Sequence, residues 1–296
     1  MKNRFMTIMA LMFVAGNAAA QSWPVTAIEA KPGARWWWLG SAVNENDLEW
    51  NMKEYSKVGI GALEVTPLYG VRGNEKNELR FLSSPWMEAF RFVKSEGNKN
   101  GLLIDMNNGT GWPFGGPNVP INEAAAKLVH TDITVTGKEL RGGVNISVTD
   151  AKEKPFAKLS RVMAYGNGTV VDLTSMTDAN GIVTWKKAPK KQSFRIISAY
   201  CSRTRQQVKR AAPGGEGYVM DHFDKNAVAN YLQMFDKAFE SNKVPYPNSF
   251  FNDSYEVYKA NWTPRLFEEF EARRGYKLEE HLLELLGEVE DKDNKV

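Results

Sequence analysis

Short apolar runs separated by amphipathic stretches dominate the front of this chain. Arg35-Trp36-Trp37-Trp38-Leu39-Gly40, Gly59-Ile60-Gly61-Ala62-Leu63-Glu64-Val65 and Gly101-Leu102-Leu103-Ile104-Asp105-Met106 are each of strand length. Asn44 caps a helix running to about Lys57, with Leu48, Met52 and Tyr55 on one face. Ser84-Pro85 opens a second helix, whose inner stripe is Trp86, Phe90 and Val93. Strands alternating with helices at this spacing predict the βα units of a parallel barrel or a doubly wound sheet.

The period changes at Lys127. From there to Tyr200 the residues alternate in short runs punctuated by turns such as Gly166-Asn167-Gly168 and Asp178-Ala179-Asn180-Gly181. This predicts a β-rich, sandwich-like insertion over 127–203. The βα pattern then resumes. Thr204–Lys209 and Ser249–Asp253 read as strands, and Asp224 to about Glu240 as a helix with Val228, Tyr231, Leu232, Phe235 and Phe239 inward. Thr263-Pro264 opens a further helix. The predicted fold is a partial (β/α) TIM-type barrel, with barrel segments at 21–126 and 204–296 around the insertion. It would hold about five βα units where a closed barrel has eight, so the chain reads as the front part of a longer protein.

Residues 1–20 have the pattern of a signal peptide: Lys2 and Arg4, an apolar run from Met6 to Val14, and small residues up to Ala20. The run is too short to span a membrane. Cys201 is the sole cysteine, which excludes an internal disulfide framework and a cysteine-rich metal site. Export without disulfides suits a bacterial periplasm or cell surface. Lys and Arg number 38 against 35 Asp and Glu, an excess too small and too dispersed to point to nucleic acid. Nine tryptophans supply flat faces suited to sugar stacking as well as to a core.

Loops after the strands of a parallel α/β fold carry its site. Here they hold Glu64, Asp105, Glu216, Asp221, Asp253 and Glu256. A glycosidase needs one carboxylic acid to protonate the leaving oxygen and one carboxylate as base or nucleophile. Glu256 is the leading catalytic candidate, since it follows a strand and Tyr255 and Tyr258 flank it as a shield from water. The loop from Asn108 to Pro117 offers Trp112 and Phe114 as a sugar-stacking rim. No Lys-Ser/Thr follows its glycines, so it is not a phosphate loop. HExxH and GxSxG patterns are missing from the sequence, which argues against a zinc site and a serine hydrolase.

These segments resemble the bacterial α-L-rhamnosidases of glycoside hydrolase family 106. The resemblance is carried by Arg35–Trp38, Gly61–Val65 with Tyr69-Gly70, Asn108–Pro117, Ala212–His222, Phe251–Tyr258 and Asn261–Pro264. It implies a barrel with β-rich accessory domains, removal of terminal L-rhamnose from a glycan with inversion, and a calcium ion at the site. It implies substrate contacts for Glu64, Asp105, Asn107, Trp112, Asp221, His222, Asp253 and Glu256. Members of the family are longer, and their acid and base glutamates are expected largely beyond this chain. The alternative is a non-catalytic carbohydrate-binding remnant of such an enzyme.

Overall fold

The computed structural model describes residues 24–287. The expected signal peptide at 1–20 and the charged tail from Glu288 lie outside them.

The chain enters strand β1 (Gly33–Leu39), whose residues alternate between a buried and an exposed side. Trp36 and Trp38 face the core, while Arg35 and Trp37 face the other way. Helix α1 (Glu45–Lys57) is capped by the Asn44 side chain, which accepts from the Asp47 amide. Strand β2 (Ala62–Leu68) follows, then helix α2 (Ser84–Asn100), which has Pro85 in its first turn and Gly101 as a left-handed C-cap. Strand β3 (Leu103–Asn107) leads into the glycine-rich loop, which contains the short β4 (Gly115–Gly116).

The antiparallel region runs through β5 (Ala126–Thr136), α3 (Gly137–Gly142), β6 (Val144–Asn145), β7 (Lys158–Gly166), β8 (Thr169–Asp172), β9 (Ile182–Val183) and β10 (Ser193–Arg203). The chain returns through β11 (Tyr218–Val219) to helix α4 (Lys225–Asn242), capped by Asp224. Strand β12 (Phe250–Phe251), α5 (Leu266–Arg274) and α6 (Leu282–Leu285) complete the described residues.

Strands β1, β2, β3 and β12 lie side by side, and all pair in parallel. Helices α1, α2 and α4 pack in sequence against one another and against one face of this sheet. The core between them holds Trp36, Trp38, Leu63, Val65, Ile104 and Met106 from the strands, and Met52, Trp86, Phe90, Tyr231, Phe235 and Phe239 from the helices. Trp86 stacks on Phe90 at 5.5 Å, and Phe239 meets Phe90 edge-on. The short β12 is held in place from outside its own residues. Asn248 Oδ1 accepts from the Ile104 amide at 3.0 Å and from Lys94 Nζ at 2.8 Å.

The second sheet has the order β5-β10-β7-β8 and is buried on both faces. Leu140, Ile146, Val183 and Phe194 belong to the cluster on one side, where the β6–β9 ribbon lies. On the other side Met163, Ile197, Ala199 and Cys201 meet Trp262, Phe267, Leu278 and Leu282.

Three expectations are corrected. Thr204–Lys209 forms no strand, only single bridges through Gln207 and Lys209. The helix expected to add to the barrel near Thr263 starts at Leu266 and covers the antiparallel sheet through Phe267. The β-rich segment is not two facing sheets of similar size: one sheet is covered by a ribbon and by helices. Among the described residues the fold is a mixed α/β arrangement of several sheets, and no barrel closes.

Candidate active site

The face of the parallel sheet turned away from the helices carries the polar residues. Strand alternation and register determine this. Arg35 stands opposite Glu64, and Glu64 opposite Asp105, so three charged side chains share one row across β1, β2 and β3. Arg35 Nε lies 3.4 Å from Glu64 Oε1, and its Nη1 donates to Asp253 Oδ2 at 3.0 Å. Thr66 Oγ1 donates to Glu64 Oε1 at 3.0 Å. The guanidinium also sits over the Phe251 ring, 5.1 Å from its centre. Arg35 thus bridges the second strand and the loop after the fourth.

Trp112 reaches the same cluster from the glycine-rich loop. Its indole N–H donates to Asp253 Oδ2, and its ring meets Trp37 edge-on at 6.5 Å. The loop is fixed by backbone pairing: the Trp112 amide donates to the Lys209 carbonyl at 2.8 Å, and the Lys209 amide returns the bond at 2.6 Å. Gly111 makes this approach possible. Its φ is +63°, and a Cβ there would lie 2.1 Å from the Lys209 carbonyl oxygen. Phe114 departs from the expected rim. It turns inward onto Tyr231, 4.8 Å between ring centres, while the Tyr231 hydroxyl lies 2.9 Å from the carbonyls of both Asn108 and Gly115.

Burial pushes the Glu64 carboxyl above the usual carboxylate range, and nearby Asp253 and Asp105 push the same way. The Thr66 hydrogen bond and the Arg35 charge oppose the shift. A carboxyl of this kind holds a proton more readily than a solvated one, beside a second carboxylate held by the same arginine.

The structure therefore gathers Glu64, Asp105, Asp253 and Trp112 in one place. Asn107 is buried at the end of β3, in register with Phe251. Glu256 lines an open cleft with Trp112, Asp253, Ser254 and Tyr255. Its expected shield is not there, because Tyr255 and Tyr258 are themselves exposed. Tyr258 lies under Lys209 and Tyr255 against the His222 ring. His222 also touches Phe223, and burial lowers its affinity for a proton. Asp221 stands apart from the cluster. It is buried, accepts from Thr263 Oγ1 at 3.0 Å and from the Phe223 amide at 3.1 Å, and lies 3.9 Å from Arg203. It ties the β11 loop to the segment ahead of α5. Glu216 braces its own loop through the Gly214 amide.

Arg35 is the central residue that the sequence reading passed over. Its signal was present: a charge inside a tryptophan run, at a position facing away from the core. The calcium ion implied above does not fit the described donors alone. Among the described residues no three His, Cys, Asp or Glu side chains converge on a point that could hold a metal, and Arg35 already stands between Glu64 and Asp253.

The fold is shared with a solved rhamnosidase. The rhamnosidase from Novosphingobium sp. PP1Y superposes with a TM-score of 0.68 at 17% identity, over 88% of this chain and 42% of that one. The sequence model of the alpha-L-rhamnosidase family, glycoside hydrolase family 106, matches residues 25–149 and 141–295, and the chain belongs to that family. A protein of Formosa agariphila named for beta-glucuronidase activity is 25% identical over 306 residues, which cover 88% of this chain and 26% of the relative. The chain spans less than half the length of either protein.

Proposed function

We propose that this chain supplies one side of the active site of an inverting α-L-rhamnosidase that releases terminal L-rhamnose from a glycan. The observation that carries the reading is the Arg35–Glu64–Asp253–Trp112 cluster on the free face of the parallel sheet. Membership of the alpha-L-rhamnosidase family supports reading that cluster as a sugar site.

In this reading β1, β2, β3 and β12 are consecutive strands of a (β/α) barrel that further strands complete. The polar row then faces the barrel interior. Asp253 and Glu64 accept hydrogen bonds from sugar hydroxyls, and Arg35 holds both carboxyls in fixed positions before the sugar arrives. Preorganised groups lose little freedom on binding, which favours affinity. Trp112 offers an apolar face beside them. Inversion requires two carboxyl groups roughly 6.5–9.5 Å apart with a water between. Glu256, on the same cleft, is this chain's candidate for one of them, and the other comes from outside the described residues. Any calcium site likewise draws donors from outside them, and no step here depends on the ion. The protein is read as exported to the periplasm or surface of a bacterium.

The test uses a protein extended to the length of its relatives, assayed on an aryl α-L-rhamnoside with the anomer of the released sugar followed by NMR. Release of the inverted anomer, with turnover lowered strongly by Glu256→Gln at an unchanged melting temperature, is expected. Release of the retained anomer, or an active Glu256→Gln variant, contradicts the reading.

A further inference from the structure

A small hollow of about 170 Å³ adjoins the cleft that holds Asp253. Trp112, Ser254 and Glu256 line both, so the two spaces meet along these residues. The hollow is small beside the roughly 300–1,000 Å³ of pockets for whole ligands. It has room for one substituent of a sugar whose neighbour occupies the cleft. Gln206, Lys209, Arg210 and Tyr258 supply much of its remaining wall.

Hydrogen bonds fix this wall before any ligand arrives. Lys209 is tied to Trp112 by their paired backbone bonds. The Gln206 side chain holds the opposite segment on both sides of Val257: its Oε1 accepts from the Tyr258 amide at 2.7 Å, and its Nε2 donates to the Glu256 carbonyl at 3.3 Å. The Tyr69 amide donates to the Arg210 carbonyl at 3.0 Å, and Arg210 stands at a left-handed φ of +63°.

Two cations stand in this frame on aromatic faces. Lys209 Nζ lies 5.1 Å from the centre of the Tyr258 ring, and the Arg210 guanidinium 5.1 Å from the centre of the Tyr69 ring. Among the described residues neither forms an ion pair. A ring face attracts a cation through its quadrupole and leaves N–H groups free to donate elsewhere. Glu256 is the one carboxylate among the described lining residues. Asp253, on the cleft side, is already taken up by Arg35 and Trp112. Two available cations therefore face one carboxylate, at the edge of the sugar cluster.

We infer that this hollow binds the anionic group, a carboxylate or a sulfate ester, of the sugar that carries the terminal rhamnose, with Lys209 and Arg210 as its partners. Charge-assisted hydrogen bonds of this kind are stronger than neutral ones, and the guanidinium fork matches either group. The inference rests on the rhamnoside reading of the cleft and adds a preference for an acidic leaving group.

Titration calorimetry with the 296-residue protein at low ionic strength tests it. The probes are L-rhamnose, α-L-rhamnosyl-glucuronic acid, the corresponding rhamnosyl-glucose and its 6-sulfate. At least one charged disaccharide is expected to bind about tenfold more tightly than the neutral one. Preference for the uronate alone identifies a carboxylate, and preference for the sulfated sugar alone a sulfate ester. Lys209→Gln and Arg210→Gln are each expected to reduce the preference, and added salt to shrink it. Neither substitution should change the affinity for L-rhamnose. Melting temperatures close to wild type confirm that the variants fold. Equal affinities for all three disaccharides while L-rhamnose binds normally overturn the anion site and leave the first reading standing. A charge preference that survives Lys209→Gln and Arg210→Gln together also overturns it. Failure of every probe to bind contradicts both readings.

Discussion

Trp112 and Asp253 are joined by a hydrogen bond from indole N–H to carboxylate, across 141 residues of sequence. The bond ties the glycine-rich loop after the third parallel strand to the loop after the fourth. Asp253 also binds Arg35, so the loops and the first strand meet at one carboxylate. Trp112→Ala removes both the bond and an apolar face. L-rhamnose affinity is expected to fall by about 1–3 kcal/mol, the scale of losing a large apolar contact. Calorimetric titration of both proteins checks this, and equal affinities would remove Trp112 from the site.

Glu64 makes the cluster sensitive to pH in a defined direction. Burial raises its folded pKa above the unfolded value, so the folded state holds the proton longer. Stability from this group is present at low pH and is lost as pH rises through the interval above the ordinary glutamate value of about 4.3. Wild-type melting temperature should therefore fall relative to Glu64→Gln across that interval. Removing the Arg35 charge, as in Arg35→Met, should carry the fall to higher pH. Thermal melts at a series of pH values report the difference, and a constant offset would show that Glu64 does not titrate as described.

The backbone at Gly111 permits no side chain. Gly111→Ala combines a left-handed φ with a clash against the Lys209 carbonyl. Strain of this kind costs on the order of 1–3 kcal/mol. A drop of several degrees in melting temperature is expected, together with weaker sugar binding because Trp112 is displaced. A variant as stable as wild type would mean that the loop can move without loss.

Local pattern made much of this fold legible. The alternation of β1, the caps at Asn44 and Asp224, Pro85 at the start of α2 and the stripe of Tyr231, Phe235 and Phe239 all appear in the structure close to where periodicity places them. Contacts between distant segments were not legible. A helix with Phe267 inward says that something apolar lies beneath it, but not that the partner is Met163 and Ile197 on the antiparallel sheet. Phe114 and Trp112, two residues apart in one loop, look alike in sequence. One packs on Tyr231 and the other meets Asp253. Asp221 and Asp253 are both acidic loop residues, yet burial against Thr263 makes the first a tether, while the second stands in the cluster. Arg35 was visible as a charge in an apolar run, but its partners lie 29 and 218 residues away.

The central claim is that the free face of the parallel sheet around Arg35 binds a sugar. NMR titration of L-rhamnose into the protein, following the indole N–H resonances of Trp37 and Trp112, tests it most directly. Saturable shifts of both signals with one affinity, abolished in Arg35→Met, are the expected result. Saturable binding that leaves both indoles unmoved would contradict the claim, as would a complete absence of binding at millimolar sugar.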